Sequence, residues 1–377
     1  MRIALYNDSL RTALGGPTAF VVSLSEMLAR AGHEVSVLTA DTTDAPAAWN
    51  QASNPRLINI GPLRRFGLLT SDGAVRARDA LAGVDAAHLS GLWVPSAAQL
   101  AAMCRRARVP YVLSLHGTLN DWPMAQSRWH KRLYLATLAR PFLRGARFIH
   151  CTSLGEQAQA TPRLPWGCRT KVIFPPIPLS DASSRMPAAG GRVGPTLLFV
   201  GRIHPVKGLE HLIEAMALVR TSGARLTIAG TGDEAYVAQL RALATAKGVA
   251  DSIQWAGFVE GAAKEALYAS AAAFVLPSSQ ENFGLVLFEA LAAGTPVITT
   301  RHVDTWRELQ SQGNATIVDQ DAASIAAGID QVLAHPSPRQ GAMAGRDWAR
   351  GVLAPENLLP SYLAMYGPDN HRPLSPG

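Results

Sequence analysis

The sequence has few cysteines and few charged side chains. Only three cysteines occur among its 377 residues, and no two of them form a CxxC pair. The odd count and the spacing exclude a disulfide framework and a cysteine-based zinc site, and they fit a reducing compartment. Charged residues make up 17% of the chain and hydrophobic residues 48%. This balance excludes a disordered chain and predicts sizeable hydrophobic cores.

Long apolar segments are also missing. The sequence has no run of 18 apolar residues, which argues against a membrane-spanning helix. Residues 3–6 already have the pattern of a strand, and the long apolar segment of a signal peptide does not follow them. We therefore expect a cytoplasmic protein that is either free in solution or peripheral on the inner face of the cell membrane.

Positive charge exceeds negative charge. The formal net charge is +7 and the isoelectric point is near 9.6, which suits an anionic partner. Many basic residues fall in the first half of the chain, but no block of five or more like charges occurs, so nucleic acid is not the expected partner. Phosphate groups, an anionic membrane surface and a plainly solvated basic face remain open.

Strand and helix patterns alternate along the chain in two runs, separated by a segment rich in Pro, Gly, Ser and Ala. This pattern predicts an α/β fold of two doubly wound lobes. We place the first lobe at 1–178, the linker at 179–194, the second lobe at 195–355, and a C-terminal helix with a tail at 356–377. The predicted strands are 3–6, 33–39, 85–89, 111–115, 148–151, 196–200, 225–229, 253–256, 273–276 and 296–299. A single helix is predicted over 133–143.

Two glutamates flank a predicted helix start in the second lobe. Glu281 lies in the loop after a buried strand, and Glu289 lies more than one turn into the following helix. Ligands bind at the carboxyl ends of strands in open parallel sheets, and helix N-termini attract anions. One carboxylate could bond sugar hydroxyls and the other a ribose, with a diphosphate between them. Two surface glutamates that stabilise the helix dipole are the alternative interpretation.

A pair of cations follows the first strand of the second lobe. Arg202 and Lys207 lie on a glycine-containing turn before a helix. Two cations near a helix start suit a diphosphate, because they neutralise the charge that builds on a departing nucleoside diphosphate. Two exposed basic side chains without a ligand are the alternative.

The first lobe offers weaker signals at the ends of two strands. Gly15 and Gly16 precede a helix, where a glycine pair lets the backbone approach a ligand closely, although a tight turn explains the pair equally well. The dinucleotide pattern GxGxxG is absent there, which argues against a dehydrogenase. His116 ends another strand and could bond a sugar hydroxyl or serve only the structure.

Residues 278–299 resemble the signature of glycosyltransferase family 4, whose members are retaining enzymes with the GT-B fold. Residues 199–209 resemble the family's Gly-Arg…Lys-Gly segment. The resemblance implies two Rossmann-like lobes facing across a cleft, with a nucleotide-diphosphate sugar bound by the second. It implies a donor site of Gly15, Gly16, Arg202, Lys207, Glu281, Phe283, Gly284, Leu285 and Glu289. It assigns catalysis to His116, Glu281, Arg202 and Lys207.

Two further segments resemble a subgroup of this family that makes bacterial surface polysaccharides. Residues 117–122 match its Gly-x-Leu-x-x-Trp pattern, and residues 88–93 match His-x-His-Gly-Leu-Trp except that Ser90 replaces the second His. The resemblance implies an acceptor side at His88, Trp93, Asn120 and Trp122. It also implies a saccharide acceptor linked to a polyprenyl diphosphate, in exopolysaccharide or lipopolysaccharide assembly.

The resemblance implies transfer of a hexose from GDP-mannose or a UDP-hexose. It implies no cofactor besides this co-substrate and no obligatory metal, because cations and a helix dipole hold the diphosphate. Asp319 and Asp321 have the DxD spacing of a metal site, but we expect Asp321 to cap a helix. Two alternatives stay open, namely a non-hydrolysing nucleotide-sugar epimerase of the same fold and a non-catalytic nucleotide-sugar binding protein.

Overall fold

The computed structural model describes residues 1–12, 15–126, 128–177, 194–311, 313, 315–335 and 342–367. These residues divide into two compact units. The first takes residues up to 177 together with 353–367, and the second takes the described residues between 194 and 352. The linker predicted at 179–194 lies outside the described residues, except for Gly194.

Seven parallel strands form one sheet in the first unit. They are β1 (Arg2–Tyr6), β2 (Glu34–Thr39), β3 (Arg56–Asn59), β4 (Ala86–Ser90), β5 (Tyr111–Ser114), β6 (Phe148–Cys151) and β7 (Thr170–Val172). Their spatial order is β3-β2-β1-β4-β5-β6-β7. The direction of winding reverses between β1 and β4, which makes this the switch point where doubly wound sheets bind ligands.

The second unit repeats the arrangement with six parallel strands. They are β8 (Thr196–Val200), β9 (Arg225–Ala229), β10 (Ile253–Gly257), β11 (Ala273–Leu276), β12 (Val297–Thr300) and β13 (Ala315–Val318). Their order is β10-β9-β8-β11-β12-β13, so the switch point lies between β8 and β11. Two doubly wound parallel sheets confirm the predicted fold class.

Helices connect the strands in both units. The first unit contains α1 (Gly16–Arg30), α2 (Ser71–Leu81), α3 (Pro95–Ala107), α4 (Asp121–Ala125), α5 (Arg128–Ala136), α6 (Ala139–Gly145) and α7 (Leu154–Ala160). The second contains α8 (Leu209–Met216), α9 (Glu234–Ala246), α10 (Gly261–Ser270), α11 (Leu285–Ala292), α12 (Trp306–Ser311), α13 (Ala322–Leu333) and α14 (Met343–Leu353). The helix α15 (Pro355–Tyr366) follows and packs on the first unit. None of the described helices is long and apolar enough to cross a membrane.

Successive side chains of β1 point to opposite faces of the sheet, so this strand contributes to the core of the first unit on both faces. Ile3 and Leu5 join one buried cluster, which also holds Phe20 of α1 and residues of α15. Ala4 and Tyr6 point to the opposite face and join the cluster that contains α3. Successive side chains of a strand face opposite sides, so a sheet covered on both faces needs apolar residues at every position.

Two local predictions have different outcomes. Asp321 caps α13, because its side chain accepts a hydrogen bond from the backbone N–H of Ser324 at 2.8 Å, which confirms the predicted cap. The single helix predicted over 133–143 is wrong, since the structure has α5 and α6 with a break between them. Pro141 lacks the N–H that a continuous helix would donate to the carbonyl of Thr137, and it lies in the first turn of α6, where proline is tolerated.

Candidate active site

Two loops flank the switch point of the second unit. One follows β8 and carries Arg202 and Lys207, and the other follows β11 and carries Glu281. The loops are joined through their backbones, because the N–H of Ser279 donates to the carbonyl of Val206 at 2.8 Å. The predicted donor residues of this unit therefore lie at the sheet edge where ligands bind in this fold.

The loop after β8 ends in a 3-10 turn, Pro205–Lys207, which closes at Gly208. Gly208 has a φ of 67°, and a Cβ there would lie 2.3 Å from the carbonyl oxygen of Pro277, so only glycine fits. This close approach holds Lys207 beside the loop after β11. Arg202, at the start of the same loop, is exposed.

Lys207 and Glu281 form an ion pair through Nζ and Oε2. Both side chains are largely buried, with 16% and 22% of their surface exposed. The backbone of Glu281 is fixed on both sides, because its N–H donates to the carbonyl of His302 at 3.0 Å and its carbonyl accepts from Asp304 at 2.9 Å. The structure therefore brings together a cation and a carboxylate that the sequence placed 74 residues apart.

The helix α11 starts directly after this pair. Gly284 is its N-cap with a φ of 72°, and Leu285 is its first residue. Phe283 is buried and stacks on Phe288 with ring centroids 4.6 Å apart. The side chain of Phe283 therefore anchors the loop in the core, while the backbone of residues 283–285 forms the start of the helix, whose N–H groups and dipole attract an anion.

Glu289 has partners that the sequence analysis missed. Its Oε1 accepts from Nζ of Lys264 at 2.9 Å, and its Oε2 accepts from the hydroxyl of Tyr268 at 2.9 Å. Lys264 and Tyr268 lie four residues apart on α10, so both reach the same neighbour. Burial and then the charge of Glu289 raise the pKa of the Tyr268 hydroxyl well above its usual value, which keeps it a hydrogen-bond donor.

In the first unit, the loop after β1 leads into α1. Gly15 is the N-cap of this helix with a φ of 80°, and Gly16 is its first residue. A Cβ would meet nothing within 4 Å at either position. Packing therefore does not require glycine at either position. At Gly15 the positive φ favours glycine, and at Gly16 there is open space next to the backbone.

His116 follows β5 with a φ of 52°, a left-handed conformation that is unusual for any residue except glycine. Its Nε2 lies 3.3 Å from Oγ of Ser90, and its ring packs edge-on against Phe20 with centroids 4.8 Å apart. Burial and then the neighbouring His150 lower the pKa of His116 to about 3. The imidazole is therefore neutral near pH 7 and acts by hydrogen bonding rather than by charge.

His88, predicted on the acceptor side, lies inside the protein with 1% of its surface exposed. Its Nδ1 and Nε2 lie 2.6 Å from the hydroxyls of Tyr366 and Ser114, respectively. Ser114 also lies 2.6 Å from Nδ1 of His150, whose Nε2 lies 2.9 Å from the carbonyl of Ile173. Both ring nitrogens of His88 are thus used within the protein, which leaves none for an acceptor.

The carbonyl of Ile173 determines which group donates and which accepts in each hydrogen bond of this series. The carbonyl of Ile173 only accepts, so Nε2 of His150 donates and its Nδ1 accepts from Ser114. Ser114 then accepts from Nε2 of His88, and Nδ1 of His88 accepts from the hydroxyl of Tyr366. Burial lowers the pKa of His88 well below its usual value and that of His150 to about 4, so both rings are neutral in this arrangement.

The other three predicted acceptor residues have different surroundings. Trp93 is half-buried and donates from Nε1 to the carbonyl of Thr118 at 3.2 Å. Asn120 is buried at the N-cap position of α4, and Trp122 of the same helix is 51% exposed. Of the four, Trp122 has the most surface free to contact a saccharide.

Glu156 of α7 is a buried carboxyl that the sequence analysis missed. It is fully buried, and its Oε1 accepts from the backbone N–H of Gly117, next to His116. Its Oε2 accepts from the backbone N–H and the hydroxyl of Thr152 at 2.6 and 2.8 Å. The Ser-x-x-Glu pattern from Ser153 to Glu156 is a common helix-start signal. In the sequence, Glu156 is therefore read as part of a helix cap and gives no sign of a contact with another loop.

In the part of the chain that the structure describes, no three His, Cys, Asp or Glu side chains are grouped so that they could hold a metal ion. The groups that could meet a diphosphate in the second unit are instead Arg202, Lys207 and the start of α11.

Comparison with known proteins matches both units. The family model for group 1 glycosyl transferases matches residues 192–345, and the model for the glycosyl transferase 4-like domain matches residues 15–175. The D-inositol 3-phosphate glycosyltransferase of Frankia alni is 31% identical over 90% of this chain and 93% of its own. The phosphatidyl-myo-inositol mannosyltransferase of Mycobacterium leprae is 29% identical over 94% of both chains.

The fold agrees with solved structures. The Anabaena protein HepE, in complex with UDP-glucose, superimposes with a TM-score of 0.72 at 19% identity, over 97% of this chain and 99% of its own. Two doubly wound units of this kind define the GT-B class of enzymes, which confirms the fold expected from the resemblance. The chain belongs to the family 4 type of glycosyltransferases.

Proposed function

We propose that this glycosyltransferase is a retaining hexosyltransferase that uses GDP-mannose or a UDP-hexose. The observation that carries the proposal is the Lys207–Glu281 ion pair beside the N-terminus of α11. It offers a cation for the diphosphate and a carboxylate for sugar hydroxyls, next to a positive helix end. The relatives support a sugar donor of this type, since one is a mannosyltransferase and a structural neighbour was solved in complex with UDP-glucose.

In the proposed reaction an acceptor hydroxyl attacks the anomeric carbon from the face that the leaving group occupies. The bond from the anomeric carbon to the diphosphate oxygen breaks, and the hydroxyl proton passes to the leaving phosphate. Arg202 and Lys207 neutralise the charge that develops on the diphosphate. Glu281 orients the donor sugar, Glu289 bonds the ribose, and the neutral His116 of the first unit bonds the reacting region.

A thermal-shift screen against UDP, GDP, ADP and their common sugar conjugates tests the donor site. A ligand that binds only the folded state at 100 times its Kd adds about 2.7 kcal/mol of stability, which is readily measured. We expect one nucleotide to stabilise the protein and Lys207→Ala to abolish the shift. Lys247→Ala is the matched control, because Lys247 pairs with Glu214 in the same unit at 2.8 Å and lies at the C-cap of α9 rather than on the two loops at the switch point. Equal shifts in both variants would contradict the site.

Retention and metal independence have their own measurements. We expect NMR of the first-formed product to show the anomeric configuration of the donor, and we expect turnover to persist in EDTA because protein cations hold the diphosphate. Conversion of the nucleotide sugar without acceptor would favour the epimerase alternative. Ligand binding without any turnover would favour the non-catalytic alternative.

We also propose that the acceptor is a saccharide linked to a polyprenyl diphosphate, presented at the inner face of the cell membrane. The name of the Mycobacterium leprae relative describes a lipid acceptor, which supports this choice. Residues 122–155 of the first unit contain six basic residues and no acidic residue. A basic surface of this kind is attracted to anionic lipids and to lipid-linked diphosphates.

The helix α5 supplies the surface that would meet the membrane. Trp129 and Leu133 lie one turn apart and are 77% and 66% exposed, and Leu138 just beyond the helix is 70% exposed. The guanidinium of Arg132 lies 5.8 Å from the ring centre of Trp129. Exposed apolar side chains among basic residues are typical of helices that lie in a membrane interface.

Vesicle flotation tests this surface. We expect binding to phosphatidylglycerol-containing vesicles at low salt, and weaker binding in Trp129→Ala/Leu133→Ala and at high salt. Leu218→Ala, an exposed leucine of the second unit, is the control and should bind normally. The proposed surface is wrong if the double variant floats as well as the unaltered protein.

A further inference from the structure

The loop that carries His116 is held by one helical segment. This His116 loop, residues 115–121, connects β5 to α4 and includes the first residue of α4. The segment is α7 with the 3-10 turn Thr161–Arg163 that continues it. Its side chains at positions 156, 159 and 163 lie on one face, because three- and four-residue steps repeat along a helix.

Each of these three side chains bonds the backbone of the His116 loop. The carboxyl of Glu156 accepts from the N–H of Gly117. Oε1 of Gln159 accepts from the N–H of Asp121 at 2.9 Å. Nη1 of Arg163 donates to the carbonyl of Leu119 at 2.8 Å, and Nη2 pairs with the carboxylate of Asp121. Along the loop, the backbone first donates to a side chain, then accepts from one, and then donates again. The three side chains therefore fit the loop's backbone at three points.

The loop needs such support because its backbone is strained. His116 and Gly117 are consecutive residues with positive φ, 52° and 74°. A non-glycine residue in this region is held there by its surroundings rather than by its own preference. Of the three contacts, the one from Glu156 reaches the strained pair itself, and it comes from a side chain with none of its surface exposed.

We propose that Glu156 is a positioning residue for sugar transfer, with Gln159 and Arg163 completing a clamp that fixes the imidazole of His116. This inference rests on the proposed role of His116 and adds the element that sets its geometry. An ordinary helix-start role accounts for the bond from the N–H of Glu156 to Oγ of Ser153 at 3.0 Å. A local contact at the helix start also accounts for Oε2, which accepts from Thr152. It does not account for Oε1, which reaches across to the His116 loop.

Glu156→Gln is the first variant to test. One end of the amide must present an NH2 group either to the N–H of Gly117 or to the donors of Thr152, so one of the observed bonds is lost. A misplacement of a catalytic group by about 1 Å costs on the order of 100-fold in rate. We expect turnover to fall about 10- to 100-fold, while the KM for the donor stays within about threefold, because Lys207 and Glu281 remain intact.

A double-variant cycle separates positioning from a general structural role. If Glu156 acts through His116, then Glu156→Gln lowers turnover no further in a His116→Ala background. If the two substitutions instead lower turnover by independent factors that multiply in the double variant, the proposal is overturned. The exposed Glu34→Gln of the same unit is the matched control and should leave turnover unchanged.

Amide hydrogen exchange supplies a readout that does not depend on activity. We expect Glu156→Gln and, should that variant fold poorly, Arg163→Ala to raise exchange in residues 115–121 and to leave β1 protected. Unchanged exchange in this loop would overturn the clamp. If exchange rises while His116→Ala retains full turnover, the clamp stands as structure, but the positioning role and the proposed role of His116 both fall.

Discussion

Gly284 occupies a position where a side chain has neither a favourable backbone angle nor room. Its φ is 72°, and a Cβ would lie 2.9 Å from Cδ1 of Leu287 and 3.2 Å from Cγ1 of Val303. Both neighbours are fully buried, so neither moves without disturbing the core. The glycine therefore lets α11 begin four residues after Glu281, with its N-terminus at the site proposed for the diphosphate.

Gly284→Ala should destabilise the second unit by about 2–4 kcal/mol, from a left-handed alanine and an overpacked core. Gly248→Ala separates the two causes, because Gly248 has nearly the same φ, 71°, but open space around it. We expect this control to cost only about 1–2 kcal/mol. Urea denaturation of both variants measures the difference, and equal losses would show that crowding at Gly284 has no effect.

Tyr268 orients Glu289 without being able to reach solvent itself, since it is only 2% exposed. Tyr268→Phe removes one hydrogen bond to a charged group, a bond worth about 1.5–3 kcal/mol, of which we expect about 1 kcal/mol to be lost from donor binding. If Glu289 bonds the ribose equally in ground and transition states, the KM for the donor should rise about fivefold with kcat nearly unchanged. Steady-state kinetics check this, with Tyr236→Phe as control, and a fall in kcat alone would contradict the ribose role.

At the scale of elements, α15 is tied to the first unit by one directed chain of hydrogen bonds. Tyr366 donates to His88, which donates to Ser114, which donates to His150. Each member is buried, and each bond fixes the direction of the next. The last helix of the chain is therefore joined to three strands of the sheet, β4, β5 and β6, by polar contacts as well as by apolar packing.

Tyr366→Phe tests this connection. It leaves Nδ1 of His88 buried without its donor, which costs about 1–3 kcal/mol of the free energy of unfolding of the first unit. Tyr236→Phe is again the control, because its hydroxyl bonds Glu210 at the surface of the second unit. Guanidinium denaturation should show a loss in the stability of the first unit only in Tyr366→Phe, and unchanged stability of that unit would mean that apolar packing alone holds α15.

The sequence predicts the central elements of both units better than their edges. Strands such as β1 and β11 are continuous apolar runs, because helices cover both faces of the sheet. The missed strands β3, β7 and β13 all lie at sheet edges and are only partly buried. Their mixed composition therefore resembles that of loops.

The residues of the candidate site also differ in how well the sequence predicts them. Arg202, Lys207 and Glu281 could be assigned because each follows a recognisable strand in a short motif. The partners of Glu289 and the carboxyl of Glu156 could not, since their meaning depends on contacts between segments distant in sequence. His88 differs from these residues: its segment departs from the subgroup pattern only at Ser90, but the topology buries His88 beneath α15.

At the scale of the whole molecule, the first unit contains a cluster of three neutral histidines, of which His88 and His150 are fully buried and His116 is partly buried. His88, His116 and His150 surround Phe20, with ring centroids 5.5, 4.8 and 5.5 Å from it. Burial lowers the pKa of all three, and their mutual repulsion would oppose protonation further. The unfolded chain has no such restraint, and its histidines take up protons with a pKa near 6.5.

The sign of the pH dependence follows from this difference. Above about pH 6.5 neither state binds these protons, so stability is complete there. As the pH falls from about 6.5 toward 4, the unfolded state binds protons that the folded state refuses, and each histidine removes about 1.4 kcal/mol per pH unit. The three together remove about 4 kcal/mol per unit, which is a large part of the stability of a typical domain.

The first unit should therefore lose protection before the second when the pH is lowered from 7 to 5. Hydrogen exchange resolved by peptide, and corrected for intrinsic rates, follows the two units separately in one sample. His150→Gln removes one titrating group and should make the loss shallower by about 1.4 kcal/mol per pH unit, whereas the exposed His130→Gln should not. Parallel losses in both units, or equal slopes in both variants, would show that carboxylates rather than these histidines control acid stability. The histidines cannot produce parallel losses, because His88, His116 and His150 all lie in the first unit and are held neutral there.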